Sequence, residues 1–294
     1  MHVQVNGTRL WFDVESAAVV PDGREMRERP TVVLLHGGPG SYDHSYFKPD
    51  FARLSAGAQV IYLDLRGHGR SAWGDPAAWG FEVCADDVRA FCDILGIERP
   101  VVYGHSMGGF VAMLYAARHP GHASALVLQS TMARFDLARL VEGFRTFGGE
   151  AVAKLAERSY SGDSVSDEEW ERVFAVFGPR VPEEDELARR IRNPELNAHG
   201  MALLRSFDVV DQLSNVDGAT LVCVGALDPV TPVAAAHEIA DALPEGIATL
   251  AVIDGAGHFP WKDAPDRYWP LLIDFVTTTA KVRPRSSLTA REGG

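Results

Sequence analysis

The chain has 294 residues, 46% of them hydrophobic and 23% charged, with a formal net charge of −12. That length suits one large α/β domain with an insertion, or two smaller domains. The acidic balance argues against a nucleic-acid partner, which needs a basic face, and against docking on anionic membranes. No apolar segment is long enough to cross a bilayer. Residues 1–9 lack a basic stretch followed by an apolar run, so no signal peptide is expected. Cys84, Cys92 and Cys223 are scattered, without zinc-ligand spacing, and read as small core residues in a reducing compartment. The expectation is a cytoplasmic enzyme.

Residues 2–15 alternate apolar and polar around Asn6-Gly7, which predicts a hairpin with strands near 2–5 and 9–14. A charged, Pro-containing loop is expected from Pro21 to Pro30. Thr31-Val32-Val33-Leu34-Leu35 is a wholly apolar, β-branched-rich run, as in a strand buried on both faces of a parallel sheet. It runs into His36-Gly37-Gly38-Pro39-Gly40. Residues 46–54 are predicted helical. A second buried strand over 58–63 enters the Gly-rich turn 64–71. From Phe81 to Leu95 the apolar positions Cys84, Val88, Phe91 and Leu95 follow helical spacing, closed by Gly96. A strand then leads into Gly104-His105-Ser106-Met107-Gly108-Gly109, followed by a helix over 107–118 and a strand over 125–129.

The βα alternation stops there. Residues 131–215 are rich in charge and helix formers, broken by Gly148-Gly149, Gly178-Pro179, Pro182 and Pro194, and predict several short helices. Strand 220–224, helix 233–242, strand 247–253 and helix 266–279 follow, with a polar, frayed tail over 281–294. The pattern gives an α/β fold with a doubly wound, mostly parallel sheet and one insertion. The core spans 1–130 and 216–280. Chemistry in such sheets lies at the C-terminal ends of the strands.

Gly104-x-Ser106-x-Gly108 fits a nucleophile elbow, a strained strand-to-helix turn with serine at its apex. Small residues flank the serine because strand and helix approach too closely for a Cβ. A serine hydroxyl needs a base, and the base needs an orienting carboxylate. Asp228, after strand 220–224, and His258, after strand 247–253, stand at the right strand ends. Their order, Ser106, Asp228, His258, is one in which such triads occur. Asp136 and Asp254 are the fallback acids. An oxyanion hole needs two preorganised donors. The Met107 N–H follows the nucleophile, and the Gly38 N–H lies after strand 31–35. His105 is expected to point away from the site, because neighbours at an elbow diverge. No histidine pair has convincing metal-ligand spacing, so no metal and no cofactor are predicted.

These residues resemble the α/β-hydrolase superfamily from about 30 to 280. His36-Gly37-Gly38-Pro39-Gly40, Asp228-Pro229-Val230-Thr231-Pro232 and Gly257-His258-Phe259-Pro260 are similar to segments of its proline iminopeptidase branch, whose members remove N-terminal residues from peptides. The resemblance implies that 131–215 is a helical cap, with Phe135, Phe144, Phe147, Trp170, Phe174 and Phe177 available to line a pocket. Phe144, Phe147, Trp170 and Phe259 are the candidate substrate contacts. Branch members also hold the substrate ammonium with cap carboxylates, for which Glu183, Glu184, Asp185, Glu186 and Glu195 are available.

Two segments depart from the branch. Asp64-Leu65-Arg66-Gly67 replaces Asp-Gln-Arg-Gly, and the elbow has the form common in esterases and lipases. The expectation is therefore a serine hydrolase acting on a small carboxylic ester or lactone. A proline iminopeptidase-like aminopeptidase is the alternative. A lyase, perhydrolase or ligand receptor on the same fold is the reading from another class. The expected partner is a small-molecule or short-peptide substrate.

Overall fold

A computed structural model describes residues 1–180, 186 and 188–279. The predicted tail over 281–294, together with Glu183, Glu184 and Asp185, lies outside the described residues.

The central sheet has eight strands: β1 (His2–Val5), β2 (Thr8–Glu15), β5 (Thr31–Leu35), β6 (Gln59–Asp64), β7 (Val101–His105), β8 (Ala125–Gln129), β9 (Ala219–Gly225) and β10 (Ala248–Ile253). Their order is β1-β2-β6-β5-β7-β8-β9-β10. From β6 to β10 every pairing is parallel, and β1 and β2 add an antiparallel edge. The all-apolar strand sequences follow from burial on both faces. Val33 and Leu35 of β5, Ile61 and Leu63 of β6 and Leu126 and Leu128 of β8 point into one core. Val32 and Leu34, Val60 and Tyr62, and Ala125 and Val127 point into the other. Period-two alternation sends neighbours to opposite faces, so neither face can be polar.

Helices α1 (Phe81–Leu95), α2 (Met107–Arg118), α6 (Val233–Ala242), α7 (Pro260–Asp263) and α8 (Pro265–Thr279) follow strands in the core. Between β8 and β9 lie α3 (Leu137–Ser161), α4 (Asp167–Phe174) and α5 (Pro194–Leu204).

Two predictions need correction. The helix expected over 46–54 is two 3₁₀ turns, His44–Phe47 and Asp50–Ala56. Pro49 lies between them and has no N–H to continue a helix. The loop expected from Pro21 to Pro30 contains a small hairpin, β3 (Val19–Asp22) with β4 (Glu25–Glu28), turning at Gly23 with φ 64°. Gly148-Gly149 breaks the helical run as expected: Gly149, at φ 75° and ψ 177°, is non-helical, so α3 is two helices joined across a kink.

The elbow depends on close approach. A Cβ on Gly104 would lie 2.3 Å from the Gly108 carbonyl oxygen, and one on Gly108 would lie 2.1 Å from the Leu35 oxygen. Gly108→Ala must therefore push α2 off β5. A destabilisation of at least about 1–3 kcal/mol is expected, read from the urea midpoint. An unchanged midpoint would mean that strand and helix can part freely.

Candidate active site

Ser106 sits between β7 and α2 with φ 54° and ψ −121°. A non-glycine residue there is strained and must be held by its surroundings. Its N–H donates to the Gln129 carbonyl at 3.0 Å, and its carbonyl accepts from Gly109 N and Thr131 Oγ1, both at 2.8 Å. The elbow is thus fastened on both sides to β8 and to the start of α2.

Asp228 follows β9 and is buried. One oxygen accepts from the N–H of Val230 (2.9 Å) and of Thr231 (3.0 Å). The other accepts from Thr231 Oγ1 at 2.7 Å and His258 Nδ1 at 2.9 Å. A carboxylate can only accept, so His258 carries its proton on Nδ1. That tautomer leaves Nε2 as the proton acceptor. Ser106 and His258 both line a cavity of about 380 Å³. The fallback acids are committed elsewhere. Asp136 caps α3 by accepting from Arg139 N, and exposed Asp254 pairs with Arg267.

The loop after β5 is fixed amide by amide. Gly37 N–H donates to Tyr46 Oη at 2.8 Å, and Gly40 N–H donates to His68 Nε2 at 3.0 Å. Pro39 has no N–H. Among the described residues, Gly38 is therefore the one member of 37–40 whose amide no protein group engages. Gly38 lines the same cavity. A Cβ on it would stand 3.2 Å from Met107 Sδ, so the two predicted oxyanion donors belong to adjoining residues.

Two buried histidines brace this loop. His36 donates from Nδ1 to the Gly37 carbonyl (2.7 Å), and its Nε2 accepts from Leu65 N at 3.2 Å. His68 donates from Nδ1 to the Arg66 carbonyl at 2.9 Å. Burial lowers the pKa of His36, and it pushes His68 down to about 3, helped by repulsion from His36. Both rings are neutral supports.

The segment between β8 and β9 touches each loop that meets the cavity. Asn193 N donates to the Gly40 carbonyl and Asn197 Nδ2 to the Pro39 carbonyl, both at 2.8 Å. The Phe177 carbonyl accepts the His258 N–H at 2.5 Å, and the Phe177 ring meets the His258 imidazole edge-on. Phe110, Met132, Leu204 and Val230 supply apolar wall, and Asp167, Glu171, Arg190 and Arg192 supply charge. The Arg190 guanidinium lies 4.7 Å from the centre of the Tyr42 ring. Burial pushes the Tyr42 hydroxyl up to about 12.

Of the four predicted substrate contacts, Trp170 and Phe259 line the cavity. Phe144 and Phe147 do not. Phe144 is fully buried, packed against Tyr160 and Phe177, and Phe147 is exposed. Of the predicted carboxylates, the two among the described residues fall elsewhere: Glu186 pairs with Lys262 and Arg180, while Glu195 is exposed at the start of α5. Asp167 and Glu171 were missed. Their signal was present, because the capping box Ser166-x-x-Glu169 locates α4 and puts positions 167 and 171 on one face. His105 borders the cavity, but its ring nitrogens are turned to protein groups: Nδ1 meets Tyr46 Oη at 2.8 Å, and Nε2 donates to the His258 carbonyl at 2.9 Å.

The only cluster of metal-ligating groups among the described residues is Asp43, His44 and Asp64. Its carboxylate oxygens already accept N–H groups of His44, Ser45, Arg70 and Ile191. It clasps loops together. Among the described residues no helix is long and apolar enough to cross a membrane.

Comparison with known proteins agrees with this architecture. The chain is 28% identical over 283 residues to a proline iminopeptidase of Lactobacillus delbrueckii subsp. lactis, covering 86% of this chain and 92% of that one. The crystal structure of a proline iminopeptidase from Mycobacterium smegmatis matches with a TM-score of 0.76 at 22% identity, covering 95% of this chain and 98% of that one. A structure described as Est816, an N-acyl homoserine lactone degrading enzyme, matches with a TM-score of 0.64 at 26% identity, covering 94% and 100%. A family model described as the alpha/beta hydrolase fold matches residues 30–265. The chain belongs to the α/β-hydrolase family.

Proposed function

We propose that this hydrolase cleaves a small carboxylic ester or lactone through an acyl-enzyme, with Ser106 as nucleophile, His258 as base and Asp228 as its orienting acid. The observation that carries this reading is Ser106 at a positive-φ apex, facing the same cavity as a His258 whose Nδ1–H is held by Asp228. Ser106 Oγ attacks the carbonyl carbon as His258 Nε2 takes its proton. The N–H groups of Gly38 and Met107 receive the developing oxyanion. His258 then protonates the leaving oxygen, and the acyl group stays on Ser106. Water, deprotonated by His258, attacks that acyl carbon and releases the acid. The balance closes with water alone.

The segment 131–215 is a cap in this reading. Its hydrogen bonds to Pro39, Gly40 and His258 support that role, because they cover the cavity where water must be excluded.

An aminopeptidase reading has its own support. Asp167 and Glu171 put two carboxylates into the cavity wall, where a substrate ammonium would find them, and the Lactobacillus relative is a proline iminopeptidase. Two matched chromogenic panels separate the readings. One holds short-chain esters and lactones, and the other holds amino-acid anilides including proline, each tried with and without a free α-amino group. Ser106-dependent turnover of esters or lactones alone is expected. Anilide turnover that requires the free amine would transfer the assignment to the aminopeptidase.

A further inference from the structure

We infer that Tyr46 and His105 form a one-way hydrogen-bond relay that positions the oxyanion loop and the base relative to Ser106, an inference that rests on the serine hydrolase reading above. The relay runs Gly37 N–H to Tyr46 Oη (2.8 Å), Tyr46 Oη to His105 Nδ1 (2.8 Å) and His105 Nε2 to the His258 carbonyl (2.9 Å). Every proton in it can be assigned. A carbonyl oxygen can only accept, so Nε2 carries the hydrogen. A neutral imidazole has one such hydrogen, so Nδ1 accepts and Tyr46 must donate to it. The tyrosine oxygen is then left to accept the Gly37 N–H.

Burial supports the neutral ring. His105 is 2% exposed, its pKa held well below the usual value first by desolvation and then by repulsion from His258. Tyr46 is likewise buried, and burial keeps its phenol protonated.

What the relay joins gives it a role beyond satisfying buried groups. At one end is the peptide next to Gly38. At the other is the main chain of His258. In the middle is the residue before Ser106. The three parts come from the loop after β5, the end of β7 and the loop after β10. Sheet pairing sets β5 beside β7, but β10 lies at the far edge of the sheet, so no strand pairing fixes His258 against them. The fit at the near end is tight. A Cβ on Gly37 would stand 3.3 Å from His105 Nδ1 and 3.5 Å from Tyr46 Oη. The Trp261 ring closes the His105 side edge-on, with centroids 4.8 Å apart. Neither Tyr46 nor His105 is placed to exchange a proton with substrate. They are positioning residues.

The test uses the full-length chain, p-nitrophenyl acetate as probe, and the variants Tyr46→Phe, His105→Leu, His105→Gln and Tyr46→Phe/His105→Leu. Loss of a relay should lower kcat by about tenfold in Tyr46→Phe and His105→Leu, with KM changed less than about threefold. The double variant should be no worse than the poorer single one, because both cut one chain. His105→Gln retains a donor for the His258 carbonyl and should keep more kcat than His105→Leu. Lower thermal midpoints with unchanged kcat would reduce the pair to core packing and overturn the inference, as would losses that simply multiply.

A wild type without Ser106-dependent turnover would overturn the hydrolase reading instead. The relay then stands or falls on ¹⁵N resonances of His105. They should show a neutral ring protonated on Nε2, with Nδ1 shifted by Tyr46→Phe. A ring protonated on Nδ1, or on both nitrogens at neutral pH, would overturn it.

Discussion

Replacing Ser106 by alanine is expected to lower kcat on the accepted ester by about 10⁴-fold to 10⁶-fold, with the protein still folded. The size follows from what is removed. Without Oγ no acyl-enzyme forms, and only the oxyanion donors and substrate binding remain to help water attack directly. The fold should survive because the main-chain bonds of Ser106 to Gln129, Gly109 and Thr131 hold the strained apex, and alanine keeps them all. His258→Ala should cost a similar factor, and the Ser106→Ala/His258→Ala double variant little more than either, since the two groups act as a unit. Asp228→Asn should cost about 10⁴-fold by favouring the wrong tautomer of His258. Steady-state kinetics with a thermal melt of each variant decides the matter. Ser106→Ala retaining a tenth of wild-type kcat would exclude an acyl-enzyme on Ser106.

The parts of this site that were legible in the sequence share one property: their signal is local. Strands β5, β6, β7, β8 and β9 are unbroken apolar runs, because both sheet faces are covered. Gly104 and Gly108 mark the elbow, because a Cβ at either would strike main chain. Asp228 and His258 each stand just past a strand. What was hidden depends on which loops meet in space. His105 and Tyr46 are 59 positions apart, and nothing in either neighbourhood announces the bond between them. The reasoning that neighbours at an elbow diverge describes side-chain directions from the backbone; it says nothing about which distant carbonyl waits on the far side. The aromatics expected of 131–215 were hidden for the same reason. Helical spacing tells that Phe144 and Phe147 lie on one side of α3. It cannot tell that Phe144 meets Tyr160 and Phe177 while Phe147 meets solvent. Charge density does not separate the acidic stretch 183–186 from Asp167-Glu168-Glu169-Trp170-Glu171; that Asp167 and Glu171 line the cavity depends on where α4 packs.

Acid should destabilise this protein well above the pH at which carboxylates titrate. His36, His68 and His105 are buried, and burial lowers the pKa of each in the folded state, to about 3 for His68. In the unfolded chain each titrates near 6.5. The sign is then fixed. Below pH 6.5 the unfolded chain binds protons that the folded one refuses, so stability present above that pH is lost as pH falls. A histidine that stays neutral in the fold costs about 2 kcal/mol at pH 5 relative to pH 7.5, so His68 alone removes about 2 kcal/mol, and His36 and His105 act in the same direction. Carboxylates in the unfolded chain titrate near 4, below that interval, and Asp263, whose pKa burial raises, acts in the opposite direction. A loss of that size is a large share of a typical folding free energy of about 5–15 kcal/mol. Urea unfolding at pH 7.5 and pH 5 measures it. In His68→Gln the same comparison should shrink by about 2 kcal/mol, even though the variant starts out less stable for want of the bonds to Arg66 and Gly40. Equal urea midpoints for the wild type at the two pH values would show that these rings accept protons without unfolding. The neutral tautomers that brace the oxyanion loop and link it to the base would then have to be redrawn.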